Sequence, residues 1–133
     1  LTEVASAQRS FHLHLENAGA FPSLKAPRVL WLGLGGDVGR LAHLHRCLEE
    51  AMVGLDFPKE QRSFAAHLTL GRINGRLLAL AQDNLITSLR AMPVNKALGI
   101  PVGEIGLVRS IMMDSGVTYR CIGRGTLQAD LPD

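Results

Sequence analysis

His67-Leu68-Thr69-Leu70-Gly71-Arg72 alternates polar and apolar side chains with the two-residue period of an extended strand. On such a strand His67 and Thr69 leave the same face, while Leu68 and Leu70 point the other way and are expected to anchor it in the core. An imidazole and a hydroxyl are thereby presented together. Imidazole is the side chain best able to give or take a proton near neutral pH, and threonine can donate a hydrogen bond to a phosphoryl oxygen. Arg72 falls just past the strand's end if Gly71 kinks it, where it would offer fixed positive charge to the same oxygens. His-x-Thr alone is a short signal, and it also describes a histidine on a surface or at a core edge.

Working outward, Phe64 to Ile73 reads as one strand with this motif inside it. Arg9 to Glu16 alternates Phe11, Leu13 and Leu15 with Ser10, His12 and His14, a half-buried strand. Asn17-Ala18-Gly19 and Pro22-Ser23 read as a loop, and Arg28 to Leu34 as a short apolar strand ending in Gly35-Gly36. Asp37 then suits a helix cap, before Leu41, Leu44, Leu48, Ala51, Met52 and Leu55 form an apolar stripe on a helix ending near Gly54. A charged loop covers Pro58 to Ser63, and a second helix spans Arg76 to Met92, stopped by Pro93. Two strands, Pro101 to Met113 and Thr118 to Leu127, flank Asp114-Ser115-Gly116, a hairpin turn signal. Consecutive strands without an intervening helix argue for antiparallel sheets covered by helices, an α+β class in a single domain over 1–133.

Bulk properties set limits. Apolar residues are 47% and charged residues 20%, ordinary for a soluble globular chain. No apolar run is long enough to span a membrane, and there is no basic-then-apolar leader, so a cytoplasmic protein without a membrane partner is expected. Cys47 and Cys121 lack metal-ligand spacing and are expected to be buried free thiols. The net charge of +2 is too small to claim a nucleic-acid surface by itself. Eleven Arg against three Lys would suit a phosphate ligand, but a general bias toward Arg is the better explanation and the ratio decides nothing. The opening Leu1 to Ala7 reads as the last turns of an amphipathic helix, with further residues expected upstream.

In its order of segments the chain resembles the RNA 2′,3′-cyclic phosphodiesterases, also called the 2′-5′ RNA ligase family, within the two-histidine phosphoesterases. His67 to Arg72 matches the second His-x-Thr motif of that family, which resembles His-Leu-Thr-Leu-x-Arg. Phe21-Pro22 with Pro27-Arg28-Val29-Leu30-Trp31 is similar to the segment between its motifs. Pro101 to Ser110 with Gly116 to Tyr119 is similar to its closing hairpin. The resemblance implies a bilobal fold of antiparallel sheets flanked by helices, here lacking its N-terminal strand region and the first His-x-Thr. It also implies hydrolysis of RNA 2′,3′-cyclic phosphate ends to 2′-phosphates, without metal or cofactor, with a reverse 2′-5′ ligation. One histidine would serve as general base and the other as general acid, with His67 and Thr69 catalytic and Thr69 and Arg72 holding phosphate. The partners implied are an RNA with a cyclic phosphate end or a small cyclic nucleotide, acted on by a monomer. With one motif of two, the chain as given is expected to be impaired.

Two rivals stand beside this reading. A relative without turnover would bind RNA ends or a nucleotide phosphate through Thr69 and Arg72. Alternatively, His12 and His14 share a strand face and suit a metal ion, whereas His43 and His45 diverge by about 200° on a helix. Phe64 and Trp31 could stack on a base or pack in the core. Arg28, Arg109 and Tyr119 lie in family-like segments and are left outside the candidate site.

Overall fold

The computed structural model describes residues 1–129. Nine elements follow in order: α1 (Thr2–Ser6), β1 (Phe11–Ser23), β2 (Ala26–Gly36), α2 (Val38–Val53), β3 (His67–Arg72), α3 (Ala79–Ala91), β4 (Gly99–Val102), β5 (Glu104–Met113) and β6 (Gly116–Thr126). The class is α+β, as the pattern of adjacent strands indicated. A four-stranded sheet runs in the order β3-β2-β1-β4, and β5 and β6 form a two-stranded sheet. Among the described residues no helix is long and apolar enough to cross a membrane.

The chain divides into two compact units. One comprises Leu1–His12, Gly39–Phe64 and Pro101 onward, the other Leu13–Val38 and Ala65–Ile100. In the first, Ala5, Phe11, Leu44 and Leu127 are buried. Gly125 of β6 accommodates α1 closely, since a Cβ there would stand 2.9 Å from that of Ala5. Of the apolar stripe on α2 only Leu44 is buried. That helix stops where Gly54 N–H bonds Glu50 O at 3.2 Å and Asp56 takes a positive φ of 65°. β5 and β6 pair from Glu104↔Thr126 to Met113↔Gly116 around Asp114-Ser115, with Gly116 at φ 129° as this tight turn demands.

The second unit carries β1, β2, β3 and α3. β1 does not end at Glu16, as the Asn and Gly at 17–19 suggested, but continues to Ser23. A register shift between Leu15 and Ala18 absorbs an extra residue as a bulge, so pairing resumes beyond it. The turn is only Leu24-Lys25, with Ser23 Oγ accepting from Ala26 N–H at 3.3 Å. β3 begins at His67 rather than Phe64, and α3 spans Ala79–Ala91. The residue before Pro93, Met92, is extended (φ −61°, ψ 119°), which proline requires of its neighbour. The strand expected over 101–113 is broken at Gly103 into β4 and β5.

Leu68 and Leu70 do not anchor β3 in a core. They are 50% and 47% exposed, because β3 is the outer strand of its sheet. Leu13, Ala20, Leu32 and Leu89 form the buried set of this unit instead.

Candidate active site

Register decides which side chains meet. In the β2–β3 ladder Gly33 pairs with His67, Leu32 with Leu68 and Trp31 with Thr69. Leu30 then pairs with Gly71 and Val29 with Arg72. Directly opposite residues share a face, and Gly33, Trp31 and Val29 alternate along β2. His67, Thr69 and Arg72 therefore all project from one face. In an unbroken strand Arg72, five residues after His67, would project from the other. The skipped residue, Leu70, forms a bulge that resets the alternation and returns the arginine to the histidine's side. The expectation that Arg72 lies beyond a kink at Gly71 is thus corrected. Arg72 is the last residue of β3, and the irregularity falls one residue before the glycine.

β1 extends this face through Gly19 opposite Trp31 and Phe21 opposite Val29. The His67 ring meets Phe21 edge-on, with centroids 5.0 Å apart at 88°, and Phe21 packs against Trp31 at 5.1 Å. Trp31 lies flat over Gly19, where any Cβ would stand 2.4 Å from the indole. Its Nε1 is buried with no hydrogen-bond partner. Trp31 is thus a packing residue that supports Phe21, and Phe21 supports the histidine. A further bond orients the imidazole: Nδ1 lies 2.6 Å from Ala65 O. A carbonyl only accepts, so Nδ1 carries the hydrogen and the neutral ring keeps its lone pair at Nε2. His67 and Thr69 are both exposed, so Nε2 and the hydroxyl are open to a ligand.

On β1 a charged group shares this face. Glu16 reaches His14 Nε2 with one oxygen at 3.0 Å and Lys96 Nζ with the other at 3.1 Å. Its carboxyl is held below the usual value of 4.5 by the hydrogen bond from Lys96 and then by that from His14. Glycines at 33 and 35 leave room for it, for a Cβ at 35 would lie 2.5 Å from His14 Nε2.

Three residues singled out by sequence, His67, Thr69 and Arg72, therefore lie on one face of β3. Reasoning from sequence missed Phe21 and the Ala65 carbonyl as neighbours of His67, and missed Glu16, which pairs with His14 and Lys96. Alternation from His14 to Glu16 could have found Glu16, but nothing in the side chains marks a carbonyl. His14, considered as a metal ligand, is engaged by that carboxylate. His43 contacts Arg46 and Cys47, while His45 faces Glu49 at 3.9 Å. No group of three or more His, Cys, Asp or Glu among the described residues is placed to hold a metal ion. Phe64 stacks on His45 at 4.2 Å and is 42% exposed, so it is no core residue. Both cysteines are free, but neither is buried as expected: Cys47 is half-buried on α2 and Cys121 is exposed on the two-stranded sheet. Arg109 and Tyr119 lie opposite Arg120 and Ser110 on that sheet, and Arg28 adjoins the end of β3.

Residues 1–110 match the family described as the 2′-5′ RNA ligase superfamily. The chain belongs to that superfamily. Among curated relatives, an Aeropyrum pernix protein named RNA 2′,3′-cyclic phosphodiesterase is 33% identical over 112 residues, covering 84% of this chain and 62% of its own. One of the same name from Archaeoglobus fulgidus is 38% identical over 110 residues (83% and 58%), and one from Aquifex aeolicus 32% over 124 (92% and 63%). This 2′-5′ RNA ligase superfamily member therefore spans about three fifths of the length of those relatives. Its fold matches the crystal structure of a Thermus thermophilus protein with a TM-score of 0.69 at 22% identity, covering 98% of this chain and 67% of that one.

Proposed function

We propose that this chain serves in the opening of RNA 2′,3′-cyclic phosphate ends to 2′-phosphates, with His67 moving a proton through Nε2. The observation that carries the reading is the single face shared by His67, Thr69 and Arg72. Membership of the superfamily and the names of the relatives support the substrate class. In the reaction a water oxygen bonds to phosphorus and the bond from phosphorus to O3′ breaks. One proton leaves the water and one reaches O3′, and His67 carries one of these transfers. Thr69 donates to a non-bridging oxygen, and Arg72 neutralises the charge that builds there. A ribose 5′-hydroxyl in place of water would join two ends through a 2′-5′ linkage. The substrate is an RNA end or a small cyclic nucleotide, handled by a monomer without metal in the cytoplasm.

One imidazole covers one of two proton transfers, and the 133 residues hold a single His-x-Thr. Each transfer is worth about a hundred- to ten-thousand-fold, so the chain alone is expected to be slow. The test is initial-rate hydrolysis of an RNA ending in a 2′,3′-cyclic phosphate, with chelator present, by the chain within its full-length protein. His67→Ala should lower kcat about a hundred- to ten-thousand-fold and leave the melting temperature unchanged. No turnover from folded wild-type protein that still binds the RNA end would replace the enzyme reading with that of a phosphate-binding module.

A further inference from the structure

We propose that a basic cleft at the far end of β3 from His67 is a second phosphate site, which holds a backbone phosphodiester of the same RNA strand. The cleft is a cavity of about 300 Å³ between the β1–β2 turn, the link from β3 to α3, and the first turn of α3. Lys25, Arg28 and Arg76 line it together with Gly75 and Gln82, and no carboxylate does. Two bonds join its walls: Arg28 Nη1 donates to Gly75 O at 3.1 Å, and Gln82 Nε2 donates to Lys25 O. The first bond uses one guanidinium donor and leaves the others of Arg28 uncommitted.

Charge makes the case. Among the described residues none of the three cations forms an ion pair. Like charges around one cavity repel unless an anion joins them. A mixture of arginine forks and a lysine ammonium is the donor set that grips a phosphate. Position then selects the anion. Ile73 N–H bonds Arg28 O at 2.9 Å, so the cleft opens where β3 ends. With Leu70 bulged out, the strand advances about 13 Å from His67 to Arg72, so the long Arg72 side chain can serve the same phosphate as Thr69, whereas the cleft beyond Arg72 falls to another nucleotide of the strand. An RNA whose cyclic end lies at His67 can place an upstream phosphate between Arg28 and Arg76. The site would favour oligonucleotides over small cyclic nucleotides.

This inference rests on the proposed reaction, and the experiment separates the two. The wild-type full-length protein and an Arg28→Gln/Arg76→Gln double variant would be assayed on a nucleoside 2′,3′-cyclic phosphate and on an oligonucleotide ending in one. The expected result is an oligonucleotide KM raised about tenfold, with the mononucleotide KM and both kcat values unchanged. The salt slope for the oligonucleotide should also fall by about 0.7 per lost contact, and Arg28→Lys/Arg76→Lys should restore part of the loss. Equal oligonucleotide KM values for the wild type and the glutamine variant would overturn the second site and leave the reaction standing. If neither substrate is turned over, fluorescence anisotropy with a single-stranded RNA decides: weaker binding by the glutamine variant supports the site, and unchanged binding overturns it.

Discussion

Glycine at 33 and 35 is what lets a carboxylate cross the sheet beside the histidine strand. A methyl group at either position would press on Glu16 or on His14. The carboxylate is exposed to water, so its pairing with Lys96 and His14 is salt-sensitive and modest. The pH dependence follows from the lowered carboxyl pKa. A depressed folded-state value contributes stability above the unfolded value and loses it as the pH falls through the folded one. Glu16→Gln should therefore melt below the wild type at neutral pH, and the two curves should converge in acid below the ordinary carboxylate range. Melting curves across a pH series check this, and a gap that widens in acid would contradict it. Alternation from His14 to Glu16 put this pair within reach of the sequence. Lys96, 80 residues from Glu16, was not, because nothing local announces a contact that the tertiary fold makes. Thr69 behind His67 was legible for the opposite reason, since its position follows from the strand period alone.

Among the described residues three register shifts interrupt the β1–β2 and β2–β3 ladders of the four-stranded sheet, and two of them decide how its sequence is misread by a period of two. The β1 bulge carries the strand through residues whose composition spells a turn. The β3 bulge leaves Leu70 unpaired and turns Arg72 to the side of His67. If that facing is what matters, inserting one alanine between Gly71 and Arg72 should cost as much kcat/KM as Arg72→Ala, about a hundredfold. Deleting Leu70 straightens the strand, keeps Arg72 opposite Val29, and should cost much less. Steady-state kinetics on a cyclic-phosphate substrate would show this order, and an insertion without effect would sink the argument. Edge position explains why the leucines were misjudged: a strand pattern tells which residues share a face, but not whether another layer covers that face. Leu68→Ala should cost less than about 1 kcal/mol, whereas Leu32→Ala, buried on the paired strand, should cost about 2–5 kcal/mol. Denaturant unfolding of the two variants makes the comparison directly.

At the scale of the molecule the two units interleave along the chain, one assembled from three stretches and the other from two. No break in composition marks the crossings, so the order of elements was readable but their division was not. Charge behaves differently, because its sum is fixed by composition. Fourteen cations against twelve anions leave +2, which gives little long-range field to draw a substrate in. Beyond a Debye length of about 8 Å at physiological salt even that is screened. A nucleoside cyclic phosphate carries one negative charge and has no condensed counterions to release, so under the role proposed for Arg72 salt acts on it by screening that one contact. Raising salt from low to physiological strength should lower its kcat/KM by less than about threefold. In Arg72→Ala the same change of salt should have almost no effect. A wild-type dependence much steeper than this, on so small a substrate, would mean that attraction is spread over many basic residues, and the weight placed on the single arginine of β3 would be wrong.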